Sequence, residues 1–380
     1  MMKKIRKLAM LSMITACFSL TACSSNSDGN SSKDSVPVAK DEQAPIKDEQ
    51  TPAQETDSTK DVATVSPAEE EEEPYDPTKG RVNVDQIESK CIADNMIEQS
   101  PKRQIYVYLP PSYETTDKKY PVVYFLHGYG DISSDFMSYT SLDIDKAIEA
   151  GAQEFIMVVL DGNNKTGGSF YENSPVTGKW EDFVTQEVVN HVDSTYRTLA
   201  KSESRCISGY SMGGYGAINM ALKHPDIFGD VIVFCPGIYA DGDINSMIDS
   251  WGSMPYVKIS YGQVFSPNDD PKKEYANIPE RTGTPEDNKI MEDWDKGYGD
   301  WERKINEYIA LNIPLKGIQI NYGKTDSFKW IPDGCKFFSS VLETNNIEHE
   351  LNEFESGHIV PFGSMDKYIV PFLEKHLSYE

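Results

Sequence analysis

Arg205-Cys206-Ile207-Ser208-Gly209-Tyr210-Ser211-Met212-Gly213-Gly214 is the stretch whose reading decides the fold of this chain. A short run of strand-like composition leads into Gly209-Tyr210-Ser211-Met212-Gly213. A helical pattern follows from Gly213 to His224 and stops at Pro225. A G-x-S-x-G pentapeptide carries chemistry only where it links a strand to a helix, because the sharp turn holds the serine in a strained conformation that only small neighbours tolerate. Gly213, Gly214, Gly216 and Ala217 would let the following helix lie close to a sheet. Ser211 is therefore the candidate nucleophile.

Outward from this turn, short β-rich runs alternate with longer helical patterns, the layout of a mostly parallel sheet covered by helices on both faces. The strand candidates are Gln104–Leu109, Pro121–Leu126, Phe155–Leu160, Ser204–Ser208, Val231–Cys235, Gly317–Tyr322 and Glu348–Phe354. Several are nearly continuous apolar runs, as fully buried parallel strands are. Trp180, Val184, Val188 and Val192 recur every four residues and mark one stripe of a helix. Tyr368, Ile369, Phe372 and Leu373 do the same in a closing helix over Met365–His376. The stretch from Gly237 to about Glu302, rich in Pro, Gly, Asp, Trp and Tyr, breaks the alternation. It reads as an insertion that either overhangs the site around Ser211 or runs over the surface without a role there.

A serine hydroxyl is a poor nucleophile at neutral pH, so it needs a general base in hydrogen-bond reach and an acid to orient that base. In a strand–turn–helix serine fold the chain order is Ser, then Asp or Glu, then His. Of the six histidines, His358 in Glu355-Ser356-Gly357-His358 follows the last strand candidate and has the right order. His349 falls in that strand, His376 near the end of the last helix, and His127, His191 and His224 lie on elements that cannot supply a late loop. The loop after Gly317–Tyr322 reads Gly323-Lys324-Thr325-Asp326-Ser327. Asp326 is thus the candidate acid, with Asp333 in reserve. A tetrahedral oxyanion needs two donors. The Met212 N–H, directly after the nucleophile, is one, and the Tyr129 N–H in His127-Gly128-Tyr129-Gly130 is the other, with Gly128 in reserve. His127 then shapes that loop.

The N-terminus has Lys3, Lys4, Arg6 and Lys7 before an apolar run from Leu8 to Leu20, the layout of a secretory signal peptide. That run is too short to span a bilayer as a helix. Leu20-Thr21-Ala22-Cys23 resembles a bacterial lipobox, which implies cleavage after Ala22 and lipidation of Cys23. Residues 24–80 are rich in Ser, Pro, Asp, Glu and Lys with one aromatic, Tyr75, and include the run Glu69 to Glu73. Such a segment buries too little apolar surface to offset its conformational entropy and is expected to be a disordered tether reaching about 40 Å or more. The net charge of −25 leaves the domain over 81–380 strongly acidic, which argues against nucleic acid or an anionic surface as partner. Of six cysteines, Cys91, Cys206, Cys235 and Cys335 fall in the domain with no metal-like spacing. Cys206 and Cys235 read as buried core residues, and a bridge between them stays open.

Together these residues resemble the esterase family of α/β hydrolases that includes feruloyl and acetyl-xylan esterases (carbohydrate esterase family 1), S-formylglutathione hydrolases and mycolyltransferases. The likeness rests on Tyr106-Val107-Tyr108-Leu109-Pro110-Pro111-Ser112-Tyr113, Tyr120-Pro121-Val122-Val123-Tyr124-Phe125-Leu126-His127-Gly128, Ser169-Phe170-Tyr171-Glu172-Asn173-Ser174-Pro175, the Ser211 turn and Ser356-Gly357-His358. It implies the α/β-hydrolase fold and hydrolysis of a carboxylic ester through an acyl-enzyme on Ser211, with no metal or organic cofactor. An anchored, extracytoplasmic address points toward acyl groups on extracellular carbohydrate, such as feruloyl or acetyl esters, and limits membrane contact to the lipid anchor. Trp180, Tyr129 and Tyr239 are candidate aromatic platforms for such a substrate. Two rivals stay open: an acyltransferase with the same triad, and a surface lipoprotein that only binds.

Overall fold

The computed structural model describes residues 76–252 and 254–380, which lie in the unit Glu72–Glu380. The candidate signal peptide, Cys23 and nearly all of the tether fall outside the described residues. Among the described residues ten strands form: β1 (Arg81–Glu88), β2 (Lys102–Leu109), β3 (Val122–Leu126), β4 (Ile156–Leu160), β5 (Asn173–Ser174), β6 (Gly178–Lys179), β7 (Arg205–Tyr210), β8 (Asp230–Phe234), β9 (Gly317–Gly323) and β10 (Glu350–Phe354). β5 and β6 make a small separate ladder, and the other eight make one sheet in the order β1-β2-β4-β3-β7-β8-β9-β10. β1 and β2, and β2 and β4, pair antiparallel; every pairing from β4 to β10 is parallel.

Composition explains which strands sit in the middle. Every residue of Val122–Leu126, Ile156–Leu160 and Asp230–Phe234 is buried, as befits strands covered on both faces. β1, by contrast, alternates exposed and half-buried positions, with Val82 and Val84 facing solvent. It is an edge strand whose pairing comes from the free side of β2, and it is not among the strands expected from sequence.

Helices cover both faces. On one, Phe125 stacks on Phe136 of the helix Ser133–Glu149, with ring centroids 3.7 Å apart, and Phe234 meets Tyr368 near the C-terminus. On the other lies the helix Met212–Lys223, whose Tyr215 packs against Trp301. A Cβ on Gly213 would lie 1.9 Å from the carbonyl oxygen of Leu126, so only glycine lets this helix sit so near β3.

The stripe Trp180, Val184, Val188 and Val192 is wholly buried on a helix running from Trp180 to Thr195. A strict four-residue repeat drifts around an α-helix of 3.6 residues per turn. Here the middle turn, Phe183–Val188, is wound as a π-helix, whose wider turn takes up that drift and keeps all four side chains on one line.

The stretch between β8 and β9 is not an irregular excursion. It holds the helices Ile244–Ser250, Pro255–Phe265, Pro285–Tyr298 and Trp301–Leu311. Their shared core is aromatic: Tyr261 packs on Trp294 at 4.6 Å and on Tyr298 at 4.9 Å, and Tyr298 stacks on Tyr215 of the sheet-covering helix at 3.9 Å. All four described cysteines, Cys91, Cys206, Cys235 and Cys335, are free, so Cys206 and Cys235 are not bridged. Among the described residues no helix is long and apolar enough to cross a membrane.

Candidate active site

The sheet order itself locates a crevice. From β3 the chain crosses to β4 on one side, and β7 then adds on the other side of β3. In an open parallel sheet such a switch point leaves a gap between the loops at the carboxyl ends of the two strands. The loops there are His127–Gly130 after β3 and Ser211 after β7.

Ser211 has φ 54° and ψ −117°, a conformation that disfavours a side chain. Its surroundings hold it there. Its N–H donates to the carbonyl of Phe234, and its own carbonyl accepts from Tyr215 and Gly237 at 3.0 and 2.9 Å. The hydroxyl is thereby raised off the end of β7 into the crevice.

His358 and Asp326 arrive on the loops after β10 and β9. His358 Nε2 lies 2.9 Å from Ser211 Oγ, and its Nδ1 lies 2.8 Å from Asp326 Oδ2. Asp326 is fully buried, and its second oxygen accepts from the Phe328 N–H at 2.8 Å, which fixes the carboxylate plane. The two loops are laced together: Lys324 N–H donates to Phe354 and Thr325 N–H to Ser356. They pass so close that a Cβ on Gly323 would stand 2.2 Å from the Gly357 carbonyl oxygen. Asp333, by contrast, lies in the first turn of the helix Trp330–Thr344, away from this set.

Four of the other histidines have structural partners. His191 pairs with Asp85, His224 with Glu181 and His349 with Ser339. His127 is buried, with Nδ1 2.7 Å from the Gly128 carbonyl and Nε2 2.8 Å from the Gly162 N–H. Because a backbone N–H can only donate, Nε2 accepts and Nδ1 donates, and the two bonds fix the ring so that it pins the loop.

That loop presents one amide. The Gly128 N–H donates to Asp131 Oδ2 at 3.0 Å and the Gly130 N–H to the Gly167 carbonyl at 3.0 Å. The Tyr129 N–H between them has no such acceptor among the described residues. The Met212 N–H opens its helix, where no intrahelical acceptor exists.

Around Ser211 lies a cavity of about 180 Å³. Trp251, Met254, Val257 and Tyr298 from the insertion, Phe170, and Phe328, Trp330 and Ile331 beyond the acid line it. Only Asp131 brings a carboxylate. Bonds to the body of the domain fasten the insertion over the site: Ser260 meets the Tyr129 hydroxyl at 3.0 Å, Ser174 Oγ donates to the Gln263 carbonyl at 2.6 Å, and Trp330 Nε1 donates to Ser250 Oγ at 2.8 Å. Of the three aromatic platforms expected from sequence, Tyr129 lines this cavity. Trp180 is instead buried in the core beside Arg103, and Tyr239 is buried against Asp295. Trp251 escapes sequence reasoning because it is brought here by packing on Tyr261 and Trp294, contacts distant in the chain from Ser211.

Cys235 Sγ comes within 4.8 Å of the Asp326 and His358 ligand atoms. Burial and the Asp326 charge push its thiol up to about 12. A metal takes the thiolate, and both nitrogens of His358 are already engaged, so these residues suit a proton relay better than a metal.

The comparisons agree with this architecture. The chain is 34% identical over 125 residues to an esterase of Mycobacterium tuberculosis, a match that covers 32% of this chain and 26% of that one. It is 29% identical over 170 residues to an endo-1,4-beta-xylanase/feruloyl esterase of Xylanibacter ruminicola, covering 42% of this chain and 23% of that one. The chain thus spans about a quarter of the length of each of these relatives. A solved ferulic acid esterase superposes with a TM-score of 0.53 at 22% identity, over 78% of this chain and 97% of its own, which shows a shared α/β-hydrolase fold. The sequence profile described as "Putative esterase" matches residues 98–308, more than half of the chain, and the chain therefore belongs to that esterase family.

Proposed function

We propose that the protein is a serine carboxylic-ester hydrolase that works through an acyl-enzyme on Ser211. The observation that carries this reading is the unbroken relay from Ser211 Oγ to His358 to Asp326, with steps of 2.9 and 2.8 Å. His358 Nε2 takes the serine proton as Oγ attacks the ester carbonyl carbon. Asp326 holds the ring and stabilises the imidazolium. The Met212 and Tyr129 amides face the developing oxyanion, where one such donor contributes about 2.7–4 kcal/mol. His358 then gives its proton to the departing alcohol, and water repeats the cycle to free the acid.

For the substrate we propose an acyl ester of extracellular carbohydrate, with a feruloyl-type aromatic acid in the cavity around Ser211. Tryptophan, tyrosine and phenylalanine walls favour a flat apolar acyl group. Feruloyl esterases are among the proteins this chain is similar to. The lipobox-like Leu20-Thr21-Ala22-Cys23 supports export and anchoring through a lipidated Cys23, with the acidic tether as spacer.

Purified protein incubated with a fluorophosphonate and with methyl ferulate, methyl acetate and p-nitrophenyl butyrate tests both parts. Labelling of Ser211 with release of ferulate at the highest kcat/KM is the expected result. An unlabelled protein inert toward all three esters would leave a binding role in its place.

A further inference from the structure

A second concavity, of about 410 Å³, adjoins the first. One wall is a single face of the helix Ser133–Glu149, where Asp135, Phe136, Tyr139 and Asp143 succeed one another at helical spacing. The opposite wall is the segment directly after His358, including Ile359 and Phe362. Asp131 and Tyr210 line both cavities and so form the wall between them.

The surface of this groove is unusual in being both apolar and acidic. Phe362 is fully exposed and Tyr139 is 71% exposed, and clustered exposure of large apolar side chains marks a binding surface. Between them stand the carboxylates of Asp131, Asp135 and Asp143, which only accept hydrogen bonds; one oxygen of Asp131 takes the Gly128 N–H and one of Asp143 pairs with Lys146 at 2.8 Å, which leaves the second oxygen of each and the whole of Asp135 for a ligand. A ligand for this groove must offer apolar faces and several donors while bearing no negative charge. A neutral sugar chain does so: its C–H faces lie on aromatic rings and its hydroxyls donate to carboxylates. The volume, more than twice that of the cavity at Ser211, admits more than one ring.

Its position gives the groove a place in the reaction. His358 must protonate the departing oxygen, so the alcohol half of the ester has to leave on the His358 side. The groove begins on the residue next to His358. We infer that the groove between Tyr139 and Phe362 is the leaving-group subsite and holds a neutral oligosaccharide alcohol; this rests on the ester-hydrolase reading above.

The test compares feruloylated arabinoxylo-oligosaccharide, methyl ferulate and feruloylcholine as substrates for the wild type, Tyr139→Ala and Phe362→Ala. It also titrates Ser211→Ala protein, with and without Phe362→Ala, with the unesterified oligosaccharide by calorimetry. Both aromatics are exposed, so their loss leaves the core intact. The expected result is a fall of about tenfold in the ratio of kcat/KM for the saccharide ester to that for methyl ferulate, the scale of one lost aromatic contact. Calorimetry should show oligosaccharide binding that Phe362→Ala removes. An unchanged ratio, oligosaccharide binding indifferent to Phe362, or a preference for the cationic feruloylcholine overturns the inference. If no ester is turned over, the hydrolase reading fails, and the titration alone decides the groove.

Discussion

The hydroxyl of Tyr210 donates a 2.7 Å hydrogen bond to the carbonyl of His358, tying the residue before the nucleophile to the backbone of the proposed base. The two rings also lie 5.0 Å apart. The separation of Ser211 and His358 is thus set by a direct strut as well as by the sheet. Tyr210→Phe keeps the ring and removes the strut. One net hydrogen bond is about 1 kcal/mol, so kcat should fall about fivefold with methyl ferulate while thermal stability stays within a few degrees. Steady-state kinetics beside a melting curve checks this, and an unaltered kcat would show that the sheet alone sets the distance.

Asp326→Asn should reduce kcat by about 10⁴-fold, because an amide mis-orients the imidazole and cannot stabilise its charged form. Ser211→Ala and His358→Ala should each nearly abolish turnover with the fold retained. Turnover of Asp326→Asn equal to wild type would move the orienting role to another carboxylate.

Val257 sits in the cavity wall on an inserted helix. Enlarging it in Val257→Phe should lower kcat/KM for methyl ferulate by about tenfold or more, while an acetyl ester, which does not reach that wall, changes little. Parallel assays on the two esters measure the discrimination. Equal losses on both would place the acyl group elsewhere.

Asp230 is fully buried, and neither carboxylate oxygen has a hydrogen-bond partner among the described residues. Burial pushes its carboxyl from the ordinary 3.8 up to about 7. Between those values the folded protein holds a proton that the unfolded chain has released, so stability falls as pH rises through this window and levels off above it. Asp230→Asn removes that loss, and it should raise the melting temperature at pH 8 far more than at pH 4, with a ceiling of about 4 kcal/mol. Melting curves across pH 4–8 are the check.

The legible and illegible parts of the fold divide along physical lines. Seven sheet strands are readable to within a few residues because buried parallel strands need continuous apolar runs, which Val122–Leu126 and Ile156–Leu160 supply. β1 is hidden because an edge strand needs only one partner and its Val82 and Val84 face water. Ser211, Asp326 and His358 can be picked out by chain order, since loops after successive parallel strands all emerge at the same edge of the sheet. The cavity wall cannot. Trp251 and Tyr298 reach the cavity at Ser211 only through the packing of Tyr261, Trp294 and Tyr215, and no local pattern encodes that. Trp180 shows the converse: an aromatic at good helical spacing that the core had already claimed.

The four inserted helices leave the sheet after β8 and rejoin it at β9, so they occupy a single interval of the chain, whereas Ser211, Asp326 and His358 lie outside that interval. A lineage carrying this scaffold can therefore exchange the interval wholesale, acquiring a new appetite for acids while the three residues proposed to break the bond are inherited untouched. Grafting the corresponding interval from a relative with a different acyl preference is the laboratory form of the same event.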